Sequence, residues 1–236
     1  MKKYYYLLIT FLLLSITGCS TRQYYKPDRQ HLQNEEVKLN KDLSSDIIFF
    51  TRDSATLKDG IVIPENKRLK NGFIALNSEL AKKGNILLII KENREIKFNK
   101  LIVQASKKGN LLAVTFSDNS FELLDLKKNR PILKNSFDTI LGAERKFVAP
   151  PLFYKELIVI PTLDGKLEIF DIKNRKFIRE IVVSKKDYFN NIIFLGVVNN
   201  TLIAASRDNI ISIKPGIFSQ QPYNIKHILV GKYDIY

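Results

Sequence analysis

The feature that most constrains the fold is an internal repeat. Residues 111–132 align without a gap on residues 157–178, at an offset of 46. Asp118 falls on Asp164, Glu122 on Glu168, Asp125 on Asp171 and Lys127 on Lys173. A weaker copy occupies residues 202–214, where Asp208-Asn209 matches Asp164-Gly165 at an offset of 44. Another begins at Asn71, 47 residues before Asp118. Within each unit, short runs rich in Ile, Val, Leu and Phe are separated by Asn, Asp, Gly and Lys, the rhythm of short strands joined by tight turns. A unit of this size cannot bury its own apolar face. Repeats of about 45 residues with several strands each therefore stack as the blades of a propeller.

The turn chemistry fits. Asp164-Gly165, Asp118-Asn119 and Asp208-Asn209 supply residues that tolerate positive φ in hairpins. Runs such as Ile47–Phe50, Ile86–Ile90, Leu111–Val114, Leu157–Ile160 and Leu202–Ala205 are apolar throughout rather than alternating. That pattern predicts strands covered on both faces. From Asp46 to Tyr236 the chain has 191 residues, room for about four blades at this period. The expected fold is an all-β propeller of four-stranded blades, with about four present as an incomplete arc of a longer ring.

The N-terminus has a different layout. Lys2 and Lys3 precede an almost wholly apolar stretch from Tyr4 to Ile16, and small residues lead to Cys19, the single cysteine of the chain. This is the plan of a secretory signal, and the run is shorter than the roughly 20 residues a membrane-spanning helix needs. Ile16-Thr17-Gly18-Cys19 resembles the lipobox of bacterial lipoproteins. The resemblance implies cleavage before Cys19 and acylation of its thiol and new amine, giving more than one anchoring chain. The implied organisation is a signal peptide at 1–18, lipidated Cys19 and a polar tether at 19–45, and blades at 46–236. Ser20, rather than Asp, resembles the outer-membrane class of such lipoproteins. With no second cysteine there is no disulfide framework.

Lys2 and Lys3 are the only charged residues of the predicted signal, so the mature chain carries 36 basic and 24 acidic residues, a formal charge of +12. Such a balance suits anionic partners. It is read first as the compositional bias of a Lys-, Asn- and Ile-rich chain. An exported protein meets lipid headgroups rather than nucleic acid.

Residues 148–179 resemble one repeat of the quinoprotein-like (PQQ-like) β-propellers through Pro150, Pro151, Asp164, Gly165, Leu167 and Asp171. Arg175 stands at the usual turn Gly, and Arg179 at the usual Trp. The enzymatic branch of that family stacks its quinone on a Trp. This chain has no Trp, so no cofactor and no enzymatic activity are expected. The other branch holds lipid-anchored, non-catalytic propellers of the BamB type, which act in outer-membrane β-barrel assembly. That resemblance implies a scaffold bound to the outer membrane through Cys19, facing the periplasm, with the β-barrel assembly machinery as partner. The alternative is a surface or periplasmic ligand-binding or adhesin-type propeller.

No metal ligand set is expected, since His31 and His227 have no partner at ligand spacing. Asp118, Asp164 and Asp208 are assigned to turns rather than to a carboxylate site, and Asn199-Asn200-Thr201 to a plain turn. Tyr154, Tyr188 and Phe189 are candidates for an interface, with burial between blades as the default.

Overall fold

The computed structural model describes residues 42–51, 54–64, 66–70, 72–138, 148–185, 190–225 and 228. Cys19, the signal, most of the tether, His31, Asn71, Tyr188, Phe189 and His227 lie outside them. Leu43 onward belongs to one compact unit. Its described elements are strands, grouped into five antiparallel sheets of four, each a simple meander of consecutive strands.

The first blade contains β1 (Ile47–Phe50), β2 (Ala55–Leu57), β3 (Ile61–Ile63) and β4 (Lys67–Arg68). The second contains β5 (Ile74–Ala75), β6 (Leu80–Lys83), β7 (Ile86–Ile89) and β8 (Arg94–Lys97). The third contains β9 (Ile102–Lys108), β10 (Leu111–Phe116), β11 (Ser120–Asp125) and β12 (Arg130–Ser136). The fourth contains β13 (Leu152–Tyr154), β14 (Leu157–Pro161), β15 (Lys166–Asp171) and β16 (Lys176–Val182). The fifth contains β17 (Phe194–Val198), β18 (Thr201–Ala205), β19 (Asn209–Lys214) and β20 (Ile217–Pro222).

The offset of 46 holds strand for strand between the third and fourth blades, and extends to an irregularity in register. It falls between Leu123 and Leu124 in β11, and between Ile169 and Phe170 in β15. The blade count is five rather than about four. The first two blades are built from strands of two to four residues, so they take far less chain than the period predicts. The copy expected at Asn71 is also displaced. Gly72 and Phe73 lead into β5, the first strand of the second blade, and form no turn between second and third strands.

Burial follows strand position. The second strands β10 and β14 are almost wholly buried, whereas the fourth strands β8, β12, β16 and β20 are largely exposed. The core lies between blades. Phe73, Ala75 and Leu88 pack with Val62 across the first pair, and Leu87 and Ile89 with Leu112 and Val114 across the second. Phe121 and Leu123 pack with Ile158, Ile160 and Phe170 across the third, and Val159 and Leu167 with Leu195, Ala204 and Ile211 across the fourth. Continuous apolar runs are therefore buried on both faces, with one exception. Ile47, Ile48 and Phe50 of β1 are 48, 55 and 51% exposed. The buried apolar residues of the first blade pack with those of the second.

One backbone bond recurs in every blade. The residue just after the fourth strand donates its N–H to a carbonyl in the turn between second and third strands. The pairs are Leu69 to Gly60, Phe98 to Asn85, Phe137 to Asn119, Val183 to Gly165 and Tyr223 to Asp208, at 2.9–3.1 Å. This defines two ends of the blades. The linker end carries these turns and the blade-to-blade connections. The hairpin end carries the turns joining first to second and third to fourth strands.

Candidate functional site

At the linker end the repeated Asp residues organise turns. Asp118 accepts from Ser120 Oγ at 2.5 Å and from Lys100 Nζ at 2.7 Å. Partial burial opposes its ionisation, but the bonds from Lys100 and Ser120 outweigh it and hold its carboxyl below the usual range. Asp208 accepts from Ser206 Oγ at 2.6 Å and from Ser184 Oγ at 3.2 Å. Asn119 and Gly165 take positive φ, at 59° and 85°, as expected. Asn209 instead opens β19, because the fifth blade's turn is one residue shorter and is closed by Ser206 bonding to Asn209.

Asn119 is 2% exposed and ties two blades together. Its Nδ2 donates to Asp164 Oδ1 and to the Asp138 carbonyl, both at 2.8 Å, and its Oδ1 accepts from Leu163 N at 2.8 Å. Around Asp164 lies a charge network that the sequence did not announce. Lys166 Nζ is 2.8 Å from Asp138, 3.3 Å from Glu180 and 3.5 Å from Asp164. The bond to Asp138 leads in holding the ammonium more firmly protonated than usual. Glu168 sits directly across from Glu180 in the β15–β16 ladder. Burial first, then a proton shared with Glu180, pushes its pKa up to about 7. Sequence could have hinted at this pair only through register, since the two are twelve positions apart on different strands.

A raised acid pKa lowers stability as pH rises. The unfolded side chain ionises near 4.5, while the folded one resists until about 7. The loss therefore develops across that window and is complete above it. The full linkage is roughly 3 kcal/mol, which solvent screening of a partly exposed group reduces to about 1–2 kcal/mol. Glu168→Gln is expected to flatten the fall in unfolding free energy between pH 5 and pH 8 by about that amount. Denaturant titrations at the two pH values check it, and an unchanged fall would refute it.

The hairpin end is different in character. Leu126 N donates to Asn110 O at 2.8 Å, and Ile172 N to Glu156 O at 3.1 Å, setting the two turns of each blade side by side. Asp125 accepts from the amides of Lys127 and Lys128, and Asp171 from that of Asn174. Their carboxylates are thereby used inside the turns, while Lys127, Lys128, Lys173 and Arg175 are exposed. Arg175, at the usual glycine position, does take positive φ, at 53°. Asn199 and Asn200 both take positive φ in the plain turn expected of them, and Tyr154 is half-buried in β13.

A groove of about 470 Å³ runs between the second and third blades, lined by Phe98, Phe116, Lys100, Lys134 and Glu122. Lys134 pairs with Glu122 at 2.9 Å, and Lys100 with Asp118. Lys82 is half-buried elsewhere, its pKa lowered to about 8 by partial loss of solvent. Its ammonium donates to the Ile102 and Val103 carbonyls at 3.0 and 2.7 Å, which accounts for it as a brace between the second and third blades. Among the described residues, no group of three or more His, Cys, Asp or Glu side chains is arranged to hold a metal ion.

Known proteins can be set beside this geometry. The chain is 27 and 28% identical to the plasminogen-binding protein PgbB of two strains of Helicobacter pylori, over 98% of its own length. It spans about half the length, 53%, of these curated relatives. Among solved structures it is similar to BamB from Moraxella catarrhalis, with a TM-score of 0.51 and 14% identity over 73% of this chain and 61% of that one. The fold is a β-propeller. No family model matches the chain. The likeness to BamB is one of fold, and it supports the propeller expectation rather than the BamB family specifically.

Proposed function

We propose that this chain is a non-catalytic, protein-binding β-propeller of the bacterial envelope, and that its ligand is plasminogen. The observation that carries this reading is the match to the plasminogen-binding protein PgbB along 98% of the chain. Acylated Cys19 would tie the propeller to the outer membrane, with the ligand-binding blades displayed by the tether. The assembly-scaffold reading has less behind it, since a fold likeness at 14% identity carries no partner with it.

The test is surface plasmon resonance of the full chain over immobilised plasminogen, with PgbB run alongside. Saturable binding by both is the expected result. Binding by PgbB alone would overturn the plasminogen assignment. Crosslinking from envelopes, with a Cys19→Ala control, gives the scaffold reading its own trial. Recovery of the β-barrel assembly protein without plasminogen binding would replace the first reading by the second. Protease shaving of intact cells should remove the propeller if it faces outward.

A further inference from the structure

We propose that the hairpin end of the third and fourth blades is a membrane-facing surface that docks on the phosphate headgroups of an anionic bilayer. This inference stands apart from the plasminogen reading and from acylation of Cys19.

The surface is built by the repeat. At this end the two blades share their strand boundaries at a constant offset of 46, so the same turns recur side by side. Between them lies a shallow depression of about 340 Å³, floored by Leu111 and Ile172 and ringed by Lys108, Lys155 and Lys173, with Glu156 the one acid on its rim. Lys108 Nζ donates to the Lys155 carbonyl at 2.9 Å, locking the two turns together. Lys127 and Lys128 extend the basic surface on the third blade, and all five lysines are exposed. The acids of these turns are too few to cancel this charge, since Asp125, Glu156 and Asp171 stand against Lys108, Lys127, Lys128, Lys155, Lys173 and Arg175. Asp125 and Asp171 bond their own turns, and Glu92 pairs with Lys107 at 3.5 Å. At the linker end, by contrast, Lys100 and Lys166 are matched by Asp118, Asp138, Asp164 and Glu180. Among the described residues of the third and fourth blades, unbalanced positive charge thus lies towards the hairpin end.

The residue types choose the partner. A protein interface is centred on buried aromatic or Arg anchors and is depleted in lysine. Here the cations are mostly lysines on turn tips, with Arg175 two residues from Lys173, over a small apolar floor. An anionic bilayer attracts each such ammonium nearly independently. The attraction is Coulombic and is screened by salt.

The experiment is cosedimentation of the full chain with phosphatidylglycerol-rich vesicles and with pure phosphatidylcholine vesicles, at low and high salt. The N-terminal run with Lys2 and Lys3 is common to every variant, so the readout is the change between variants in the salt-sensitive preference for the anionic lipid. Replacing Lys108, Lys155 and Lys173 together by Gln is expected to weaken that binding about a hundredfold, from about fivefold per lysine. Replacing Lys58, Lys70 and Lys185 at the linker end should change it by less than about threefold. If the hairpin-end triple fails to fold, as read by circular dichroism, Lys173→Gln alone should still show the fivefold loss. Equal loss in both triples, or equal binding to both lipids, overturns the proposal. So does loss of plasminogen binding in the hairpin-end triple with phosphatidylglycerol binding intact, which would assign this face to the protein ligand.

Discussion

Phe121→Ala is expected to cost about 3–5 kcal/mol of unfolding free energy. Phe121 is fully buried and packs with Ala113 and Leu123 of its own blade and with Ile158, Ile160 and Phe170 of the next. Removing the ring leaves a cavity between two sheets whose strand ladders resist collapse, so the lost transfer energy and the void add. A domain of this size loses roughly 2–4 °C per kcal/mol, so the melting temperature should fall by roughly 6–20 °C. Circular dichroism melting reads this directly. A drop below about 1 kcal/mol would mean that the third and fourth blades are not packed as described. Leu167, its counterpart at the offset of 46, is equally buried against the fifth blade and should cost about 2–5 kcal/mol when cut to Ala.

Gly165→Ala is the second large effect, at about 2–4 kcal/mol. Gly165 holds φ at 85°, and a Cβ there would lie 2.8 Å from Asn190 O and 2.9 Å from Ser184 O. Both are backbone oxygens, so neither can swing away as a flexible side chain would. The same carbonyls mark the connection into the fifth blade, where Val183 and Ser184 donate to Gly165 O at 2.9 and 3.1 Å. The added methyl therefore combines a strained φ with displacement of the linker. A melting temperature unchanged within about 2 °C would refute it. Gly109→Ala is the natural comparison. It also has positive φ, at 58°, but a Cβ there meets nothing within 4 Å, so it should show the conformational cost alone, about 1 kcal/mol.

The contrast between Asn119 and Gly165 shows how far sequence reading reaches. The offset of 46 places both at one turn position, and turn chemistry predicts positive φ at each. It does not reveal that Asn119 bonds three groups across the blade junction. Nor does it reveal that in the next blade an amide from the linker, Asn190 Nδ2, donates to Asp164 O at 2.8 Å instead. Each of these two blades uses one amide to stitch its turns, drawn from a different segment. The Glu168–Glu180 pair was hidden in the same way, because strand register decides which side chains face each other. So was the basic hairpin end, because lysines scattered along a chain become neighbours only when successive turns line up.

What the sequence by itself determined was the repeat, hence the all-β blade, strands covered on both faces and the turns of the third and fourth blades. These follow from local spacing, where apolar runs and Asp-Gly or Asp-Asn pairs act within a few residues. What only the tertiary structure decided was the number of blades and the sorting of charge between the two ends of the third and fourth blades. The first two blades keep the sheet while halving the strands, and no local signal counts hydrogen-bonded partners. The charge asymmetry arises because meander topology sends alternate turns to opposite ends, so lysines far apart in sequence gather on one surface through packing alone.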